Sequence, residues 1–423
     1  MNALTNIAGE LDQHFGNEGI FTLTLASYPE TIIFGTLTDP ATQAIYFTGQ
    51  ARMGVTDRPY FLGRLLPDGS LDNTFATQGI ATGKFSNSVE SRGKSIALLA
   101  QSKILLIGAI NSSPALARFL HDGSLDTSYG VNGHLILRNP SSAAPMSSEE
   151  SASEAESAQS STYALQDGRI LISFTYTYLG TPTHSYVYLL DNNGELDLSF
   201  NQTGWTEVKH PSHAGDGILL NAGLIDEDGN IVVCGRLKSA ESRALMVARY
   251  KRDGSLDLSF GVGGFVLDDT IAGFSTVTAL ANQGNKRILG IGYASTDSVY
   301  SGLLISLEPD GTRNIQFNRA KPLLTRLNDA DTHWSNALKQ PNGSLVVTGN
   351  TKASGKSTIA LARLQSNGAF DPTFNKGQGW VATPMGLNNT SAMSLALQSD
   401  GKILVAGFYR ESNLHGIIVR YLG

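Results

Sequence analysis

Residues 253–265 read DGSLDLSFGVGGF, and the 423-residue chain contains six further copies of this stretch. The copies occupy residues 9–21, 68–81, 122–135, 193–206, 310–319 and 367–381, at spacings of 54 to 71 residues. The copy at 310–319 has lost the Leu-Asp and Phe-Gly pairs of the motif. A repeat of this length is typical of solenoids and propellers, so the period indicates the fold before any local detail does.

A second regular feature lies between the copies. Asp-Gly or Asn-Gly pairs next to apolar runs recur at 166–172, 227–233, 341–347 and 399–405, and they favour β-hairpins because such turns need positive φ. A third apolar run, such as 245–250, leads into each motif, and a fourth, such as 264–269, follows it. Four short strands per unit are the plan of a propeller blade. We therefore predict an all-β fold, a seven-bladed β-propeller of four-stranded antiparallel blades.

The two ends of the chain complement each other. The last unit lacks the strand that should follow its motif, whereas residues 19–25 read as a strand with no unit before it. We predict that this N-terminal strand pairs with the C-terminal strand and closes the ring, because closure removes exposed sheet edges. Residues 1–423 are then a single domain with a closure segment at 1–25. Residues 139–161 are rich in Ser and Glu and predict a flexible insertion between blades 2 and 3.

An arginine precedes the motif aspartate by eight residues in four units. In the copy at 310–319 both are lost together, and the third unit has Tyr188 near a retained Asp197. Ring closure would create a fifth pair from the two chain ends. We predict that these pairs form structural charge-assisted hydrogen bonds. They are Arg64–Asp72, Arg118–Asp126, Arg249–Asp257, Arg363–Asp371 and Arg420–Asp12.

The repeat resembles a known family. The pattern ALAR followed by DGSLDxSFGxxG and DGKILVAG, the last at 400–407, is similar to the delta-60 repeats of bacterial β-propellers. The resemblance covers nearly the whole chain, and the copy at 310–319 departs from it. It implies the propeller fold but no reaction, so function has to be inferred from the loops.

The order of strands assigns the loops to two faces of the ring. With strands A to D running from the centre to the rim, the A–B and C–D connections share one face and repeat the same turn chemistry. The B–C and D–A connections share the other, variable face, and binding residues concentrate on such loops. We expect a binding site on this face, at the mouth of the central channel. The candidate residues are His210, His213, Asp216, Asp331, His333, Trp334 and Arg92.

These candidates are compatible with more than one kind of site. His210, His213 and Asp216 have the ligand types for a divalent metal such as Zn²⁺, although solvated loop residues would look the same. Trp334 is either a stacking platform for a sugar or peptide or a plug between blades. The arginines at 52, 58 and 92 lie where they could orient an anionic group.

Composition argues against several functions. A net charge of −6 without clustered basic residues disfavours nucleic-acid binding. Cys234 is the single cysteine, so no disulfide framework is predicted. No apolar run is long enough to span a membrane. The N-terminus lacks a secretory signal, so we expect a cytoplasmic protein or export by another route. We also expect a monomer.

We predict a non-enzymatic binding or interaction module, without a cofactor, for a protein, peptide or glycan ligand. One alternative is a propeller hydrolase or lyase, lactonase-like or polysaccharide-acting, with a metal or an acid/base set at the channel mouth. Another is a structural or surface-display role. A concave, partly aromatic pocket on the variable face would favour the binding module, whereas a uniformly polar, convex face would favour the structural role.

Overall fold

The computed structural model is an all-β ring of seven four-stranded antiparallel sheets. It describes residues 7–87, 90–110, 113–141, 161–164, 169–176, 183–191, 193–213, 215–238, 244–271, 273–386 and 389–423. The predicted insertion at 139–161 lies mostly outside these ranges.

The strands follow the order predicted from the repeat. Strand β1 is Ile20–Thr22. Blade 1 contains β2 (Glu30–Thr38), β3 (Ile45–Arg52), β4 (Tyr60–Leu65) and β5 (Ile80–Gly83); blade 2 contains β6 (Arg92–Leu98), β7 (Ile104–Ile110), β8 (Ser113–Phe119) and β9 (His134–Ile136). Blade 3 contains β10 (Ser161–Ala164), β11 (Ile170–Tyr176), β12 (His184–Leu190) and β13 (Trp205–Glu207); blade 4 contains β14 (Gly217–Ile225), β15 (Ile231–Lys238), β16 (Leu245–Tyr250) and β17 (Phe265–Asp268). Blade 5 contains β18 (Phe274–Gly284), β19 (Arg287–Thr296), β20 (Val299–Leu307) and β21 (Leu323–Thr325); blade 6 contains β22 (Asp331–Lys339), β23 (Leu345–Ala353), β24 (Lys356–Leu364) and β25 (Trp380–Thr383).

Blade 7 is built from both ends of the chain. It contains β26 (Thr390–Leu397), β27 (Ile403–Arg410) and β28 (Leu414–Tyr421), and β1 is its outermost strand. Ile20 lies opposite Val419 in the antiparallel pairing of β1 with β28, and an isolated bridge joins Leu11 to Tyr421. The four-stranded blades and this pairing agree with the prediction from the sequence. Short 3-10 turns occur in the connections, at Ala100–Ser102, Asn318–Ala320, Leu327–Asp329 and Asn375–Gly377.

The hydrophobic core is divided among the interfaces between blades. Seven clusters of buried residues each combine side chains from two neighbouring blades. The cluster across the closure, for example, packs Ala406 and Ile418 of blade 7 against Ile33 and Phe47 of blade 1. The first strand of each blade contacts the first strands of both neighbours, so these strands surround the central channel.

The motif arginine and aspartate are joined in each of the five predicted pairs. Arginine Nε donates to aspartate Oδ2 at 2.7 Å in Arg64–Asp72, Arg249–Asp257 and Arg363–Asp371, at 2.8 Å in Arg118–Asp126 and at 2.9 Å in Arg420–Asp12. Each guanidinium also lies over an aromatic ring of the same repeat, 4.4 to 4.8 Å from its centroid. Such a pair combines a charge-assisted hydrogen bond with a cation–π contact.

These pairs also connect neighbouring blades. Nη1 of four of the arginines donates to a backbone carbonyl in the following blade; the acceptors are His121, Asn193, Pro309 and Pro67 for Arg64, Arg118, Arg249 and Arg420. The motif therefore stabilises the contact between blades as well as the blade that contains it.

Two blades replace the pair in different ways. In blade 5, Ser306 Oγ donates to Gln283 Oε1 at 2.5 Å, and Asn314 Nδ2 donates to Ser306 Oγ at 3.0 Å. This neutral triad occupies the place of the ion pair. In blade 3, Asp197 Oδ2 lies 3.7 Å from Nη1 of Arg169, which precedes the second strand of the blade.

Candidate functional site

The strands around the channel share a backbone irregularity. In six of these seven strands the register with the next strand shifts by one residue, which leaves a bulged residue near the axis. The bulged residues are Phe34, Lys94, Asn221, Thr278, Ser335 and Met393. A bulge bends its strand and changes the direction of the side chain. Lys94 is the one charged residue in this set of six.

Several bulged residues hold the ring together at its centre. Asn221 Nδ2 donates to the carbonyl of Val277 at 2.7 Å, and Thr278 Oγ1 donates to the carbonyl of Trp334 at 3.0 Å. In both cases the acceptor belongs to the following blade and immediately precedes its own bulge. These contacts give the channel mouth a rigid frame.

Partly exposed aromatic rings form a row on the variable face, across blades 5 and 6. The His333 ring stacks on Tyr293 with centroids 4.5 Å apart and planes 17° apart, and it lies 4.7 Å from Tyr300. The Phe274 ring lies 5.8 Å from that of Tyr293. We call Phe274, Tyr293, Tyr300 and His333 the aromatic strip. All four are intermediate between buried and exposed.

Polar groups at both ends of the aromatic strip hold it in place. The Arg236 guanidinium lies 5.2 Å from the Phe274 ring centroid, and Asp331 Oδ1 accepts a hydrogen bond from the Tyr300 amide at 3.0 Å. Burial lowers the pKa of His333, and this effect outweighs the opposing effect of Asp331. The imidazole is therefore neutral at neutral pH and contacts the tyrosines as an uncharged aromatic ring.

A group of cations lies on the same face, between blades 1 and 2. It consists of Arg52, Arg58, Arg92 and Lys94, which we call the cationic cluster, and Glu90 lies within it. Arg92 Nε donates to Glu90 Oε1 at 2.6 Å, and Arg58 Nη1 lies 3.9 Å from the same oxygen. Burial, together with Arg58 and Arg92, lowers the pKa of Arg52. Burial and Arg92 also lower the pKa of Lys94, to about 8.

A fully buried amide positions the cationic cluster. Gln50 has no exposed surface, and its Oε1 accepts a hydrogen bond from Arg52 Nε at 2.8 Å. Its Nε2 donates to Glu90 Oε1 and to the carbonyl of Ser91, both at 3.4 Å. The Ser91 amide in turn donates to the carbonyl of Arg58 at 2.8 Å. The strand end that carries Arg52 is thereby tied to the connection between β5 and β6 that carries Glu90, and this connection is tied in turn to Arg58 in the connection between β3 and β4.

The histidine loop between blades 3 and 4 lies beside the outermost strand of blade 4. The His210 ring is 4.6 Å from Phe265 in β17 and 4.7 Å from His213. His213 Nδ1 lies 3.1 Å from Asp216 Oδ2, and the Ser212 amide donates to His210 Nδ1 at 3.2 Å. The three predicted residues therefore remain close to one another. Across the described ranges, no group of three or more His, Cys, Asp or Glu side chains is arranged to hold a metal ion.

Trp334 does not offer a stacking surface, so its inclusion among the binding candidates is corrected. Its side chain is 1% exposed, and its indole Nε1 donates to Thr325 Oγ1 at 2.8 Å. The indole packs between blades 5 and 6 against Gly302, where an added Cβ would lie 2.4 Å from the ring. Of the two sequence interpretations, the plug between blades describes its position.

The remaining candidates separate into two places. Asp331 and His333 join the aromatic strip, and Arg92 belongs to the cationic cluster three or four blades away around the ring.

Sequence reasoning missed Phe274, Tyr293, Tyr300 and Lys94 as candidate site residues. Their signal was positional, because Phe274 and Tyr300 stand at the start of strands that begin on the variable face. Two open grooves lie elsewhere, between the closure segment and residues 375–386, and neither is lined by a residue of the aromatic strip or by any of the predicted site residues.

The repeat matches a model of a protein family. The model is described as "Domain of unknown function (DUF5122) beta-propeller", and it matches residues 102–129, 165–200, 227–260, 340–374 and 398–422. The chain is a β-propeller repeat protein. A comparison with curated proteins finds no match to this repeat protein.

Solved structures share the architecture of this repeat propeller at low sequence identity. A virginiamycin B lyase from Staphylococcus aureus is 10% identical with a TM-score of 0.50, over 95% of this chain and 98% of the lyase. Drosophila semaphorin 1a, extracellular domains 1-2, is 9% identical with a TM-score of 0.51, over 96% of this chain and 88% of that chain. Chaetomium thermophilum Sqt1 bound to the N-terminus of ribosomal protein L10 is 12% identical with a TM-score of 0.51, over 94% and 98%. At these identities the similarity concerns the fold alone.

Among the residues that the structure describes, no helix has the length and apolar character needed to cross a bilayer.

Proposed function

We propose that this repeat propeller is a non-enzymatic interaction module that binds a peptide or protein segment across the aromatic strip. The observation that carries the proposal is the set of four partly exposed rings in mutual contact on the variable face. Tyrosine and arginine are the residue types that most often dominate the binding energy of protein interfaces. The strip supplies two tyrosines, and Arg236 lies at its end.

The contacts within the strip favour binding because they fix the rings in advance. The His333 ring packs against two tyrosine rings that also contact each other, and Asp331 holds the backbone at Tyr300. Side chains that are already ordered lose less conformational entropy when a ligand binds, so more of the contact energy remains as affinity. Polar groups beside the rings would orient the backbone or side chains of the ligand.

The test is to select peptides from a displayed random library on the purified protein and to measure their affinity by calorimetry. We expect Tyr293→Ala to lower the affinity for a selected peptide by about tenfold or more. Tyr409→Ala is the matched control, because Tyr409 stacks on His415 at 5.1 Å in blade 7 and is also partly exposed. Equal losses in both variants, or selection of glycans but no peptides in a parallel glycan array, would contradict the proposal.

A second candidate function rests on the histidine loop. His213 and Asp216 are close enough for the carboxylate to orient the imidazole, as in acid/base and metal sites, and burial with the neighbouring His213 lowers the pKa of His210. This arrangement would suit a hydrolase or lyase that is lactonase-like or acts on polysaccharides, with a divalent metal. It predicts metal in the purified protein that decreases in His213→Ala. A metal-free protein that hydrolyses neither lactones nor polysaccharides would leave the interaction module as the better proposal.

We further propose that the protein belongs among the bacterial delta-60 propellers, that residues 1–423 act as one domain, and that it works as a monomer. The family-model match and the continuous ring of interfaces support the first two points. Sedimentation analysis tests the third.

A further inference from the structure

The cationic cluster differs in charge from the rest of the molecule. The whole chain has a net charge of −6, yet four cations meet between blades 1 and 2. Glu90 and Glu30 are the carboxylates that act on Arg52 in this group, so the cations outnumber them by two. Cations held this close repel one another, and the lowered pKa of Arg52 reflects that repulsion together with burial. Such an arrangement is typical of functional sites.

The scaffold under the cluster is specific and buried. Gln50 Oε1 accepts a hydrogen bond from Arg52 Nε, and Glu90 Oε1 accepts one from Arg92 Nε. Two of the guanidinium groups are therefore fixed through Nε. Within the described ranges, the single hydrogen bond of the Arg52 side chain is the one to Gln50. Its two terminal nitrogens therefore remain as a planar pair of donors that matches an oxyanion.

Lys94 adds a second kind of cation from the channel side. The bulge between Gly93 and Ser95 takes Lys94 out of the regular pairing of β6 with β7. Arg92 is close enough to influence Lys94 electrostatically. An ammonium near a guanidinium offers an acidic segment a point charge in addition to the planar donors of the arginines.

We propose that the cationic cluster binds carboxylates of an acidic peptide segment, with Arg52 as the planar donor for one carboxylate and Lys94, beside Arg92, as the cation for another. This inference rests on the proposed function only in placing a peptide on the variable face. The limited local excess of two charges suits a few carboxylates. A long polyanion, such as nucleic acid or a sulfated glycan, would meet the negative charge of the rest of the protein.

The experiment uses fluorescein-labelled, C-terminally amidated hexaglutamate and hexaglutamine peptides with the full chain, and it measures fluorescence anisotropy at low and physiological salt. We expect hexaglutamate to bind more tightly than hexaglutamine, and we expect Arg52→Gln to lower the affinity for hexaglutamate by about tenfold. Lys94→Gln should have a similar effect. Arg410→Gln is the matched control, because Arg410 is also a cation at the end of the second strand of its blade.

Folding and the two proposals can be separated. Arg52→Lys keeps the charge but not the planar fork, so it should bind hexaglutamate more tightly than Arg52→Gln and less tightly than the unchanged protein, at an equal melting temperature. Equal effects of Arg52→Gln and Arg410→Gln, equal binding of the two peptides, or tighter binding of a heparin oligosaccharide would overturn the inference. The proposal for the aromatic strip is tested independently, because the loss of affinity in Tyr293→Ala is measured with library-selected peptides whether or not they are acidic.

Discussion

Replacing Arg363 by Ser and Asp371 by Asn together should destabilise the protein far less than either replacement alone. Blade 5 already contains this combination, because Ser306 and Asn314 stand at the corresponding positions and form a neutral triad with Gln283. Asn314 has no exposed surface, so the triad satisfies buried polar groups without any charge.

Blade 6 already contains one member of the same triad, a buried glutamine. Gln340 occupies the position that Gln283 has in blade 5; its side chain is 5% exposed, and its Oε1 has no hydrogen-bond partner among the described residues. A serine at position 363 would bring a hydroxyl to the place that Ser306 has relative to Gln283. The double variant should thus gain a hydrogen bond that the unchanged blade lacks.

The single variants each leave a buried charge without its partner. Arg363 and Asp371 are 6% and 7% exposed, so breaking the pair from either side should cost about 3–5 kcal/mol. The double variant loses the contact of the guanidinium with Phe374, at 4.8 Å, but gains neutral hydrogen bonds, so its net cost should be about 1–2 kcal/mol. The coupling free energy between the two positions should therefore be about 4 kcal/mol or more.

Urea unfolding of the four proteins, followed by the fluorescence of the three tryptophans, measures this cycle. Lys209→Gln, in the more exposed pair with Glu207, is a control that should change stability little. Free energies that add within about 0.5 kcal/mol would refute the reasoning, because independent sites behave in that way. So would a double variant that is less stable than both single variants.

The remaining predictions concern packing, closure and acid stability. Gly302→Ala should destabilise the protein by about 1–3 kcal/mol in thermal unfolding, because the new Cβ would lie 2.4 Å from the Trp334 indole; Gly215→Ala, which meets no atom within 4 Å, should be neutral. Phe21→Asp should open the closure and speed limited proteolysis near both chain ends, whereas unchanged cleavage would show that β1 contributes little. Burial alone would raise the pKa of the motif carboxyls, but hydrogen bonds from the following Ser or Thr and from the arginine outweigh it and lower the pKa. Their folded pKa values lie below the unfolded value of about 4, so this stabilisation is complete above that pH and is lost as the pH falls further. Melting temperatures measured from pH 7 to pH 3 should fall as this stabilisation is lost, and they should fall less in the variant that combines Arg363→Ser with Asp371→Asn. The carboxyls concerned are those of Asp72, Asp257 and Asp371.

The fold could be predicted because its signals are local and repeated. The turn chemistry of residues 253–265 recurs along the chain, with one degraded copy at 310–319, and a missing strand at one end matched an extra strand at the other. The pairing of Arg420 with Asp12 followed from the same comparison of units. Repetition makes such inferences strong, since each copy tests the others.

The candidate site was predicted less well because it depends on contacts between units. The sequence leaves Trp334 as either a stacking platform or a plug between blades, and the choice depends on Gly302 of the preceding blade, which makes room for its ring. Lys94 lies inside a regular-looking strand, and its departure from the register comes from a bulge that no turn residue announces. The contact of Tyr293 with His333 joins side chains 40 residues apart in the chain. Pattern and propensity do not encode that kind of proximity.

The meeting of the two chain ends inside one sheet has a practical consequence. Gly9 donates its amide hydrogen to the carbonyl of Leu422 at 2.8 Å, so a short covalent linker between Ile7, the first described residue, and Gly423 could make the polypeptide circular. New termini could then be opened in any connection between blades, such as the one between β17 and β18. Circular permutants of this kind would retain every sheet but place the chain termini between different blades. Their relative folding rates would report which blade assembles first.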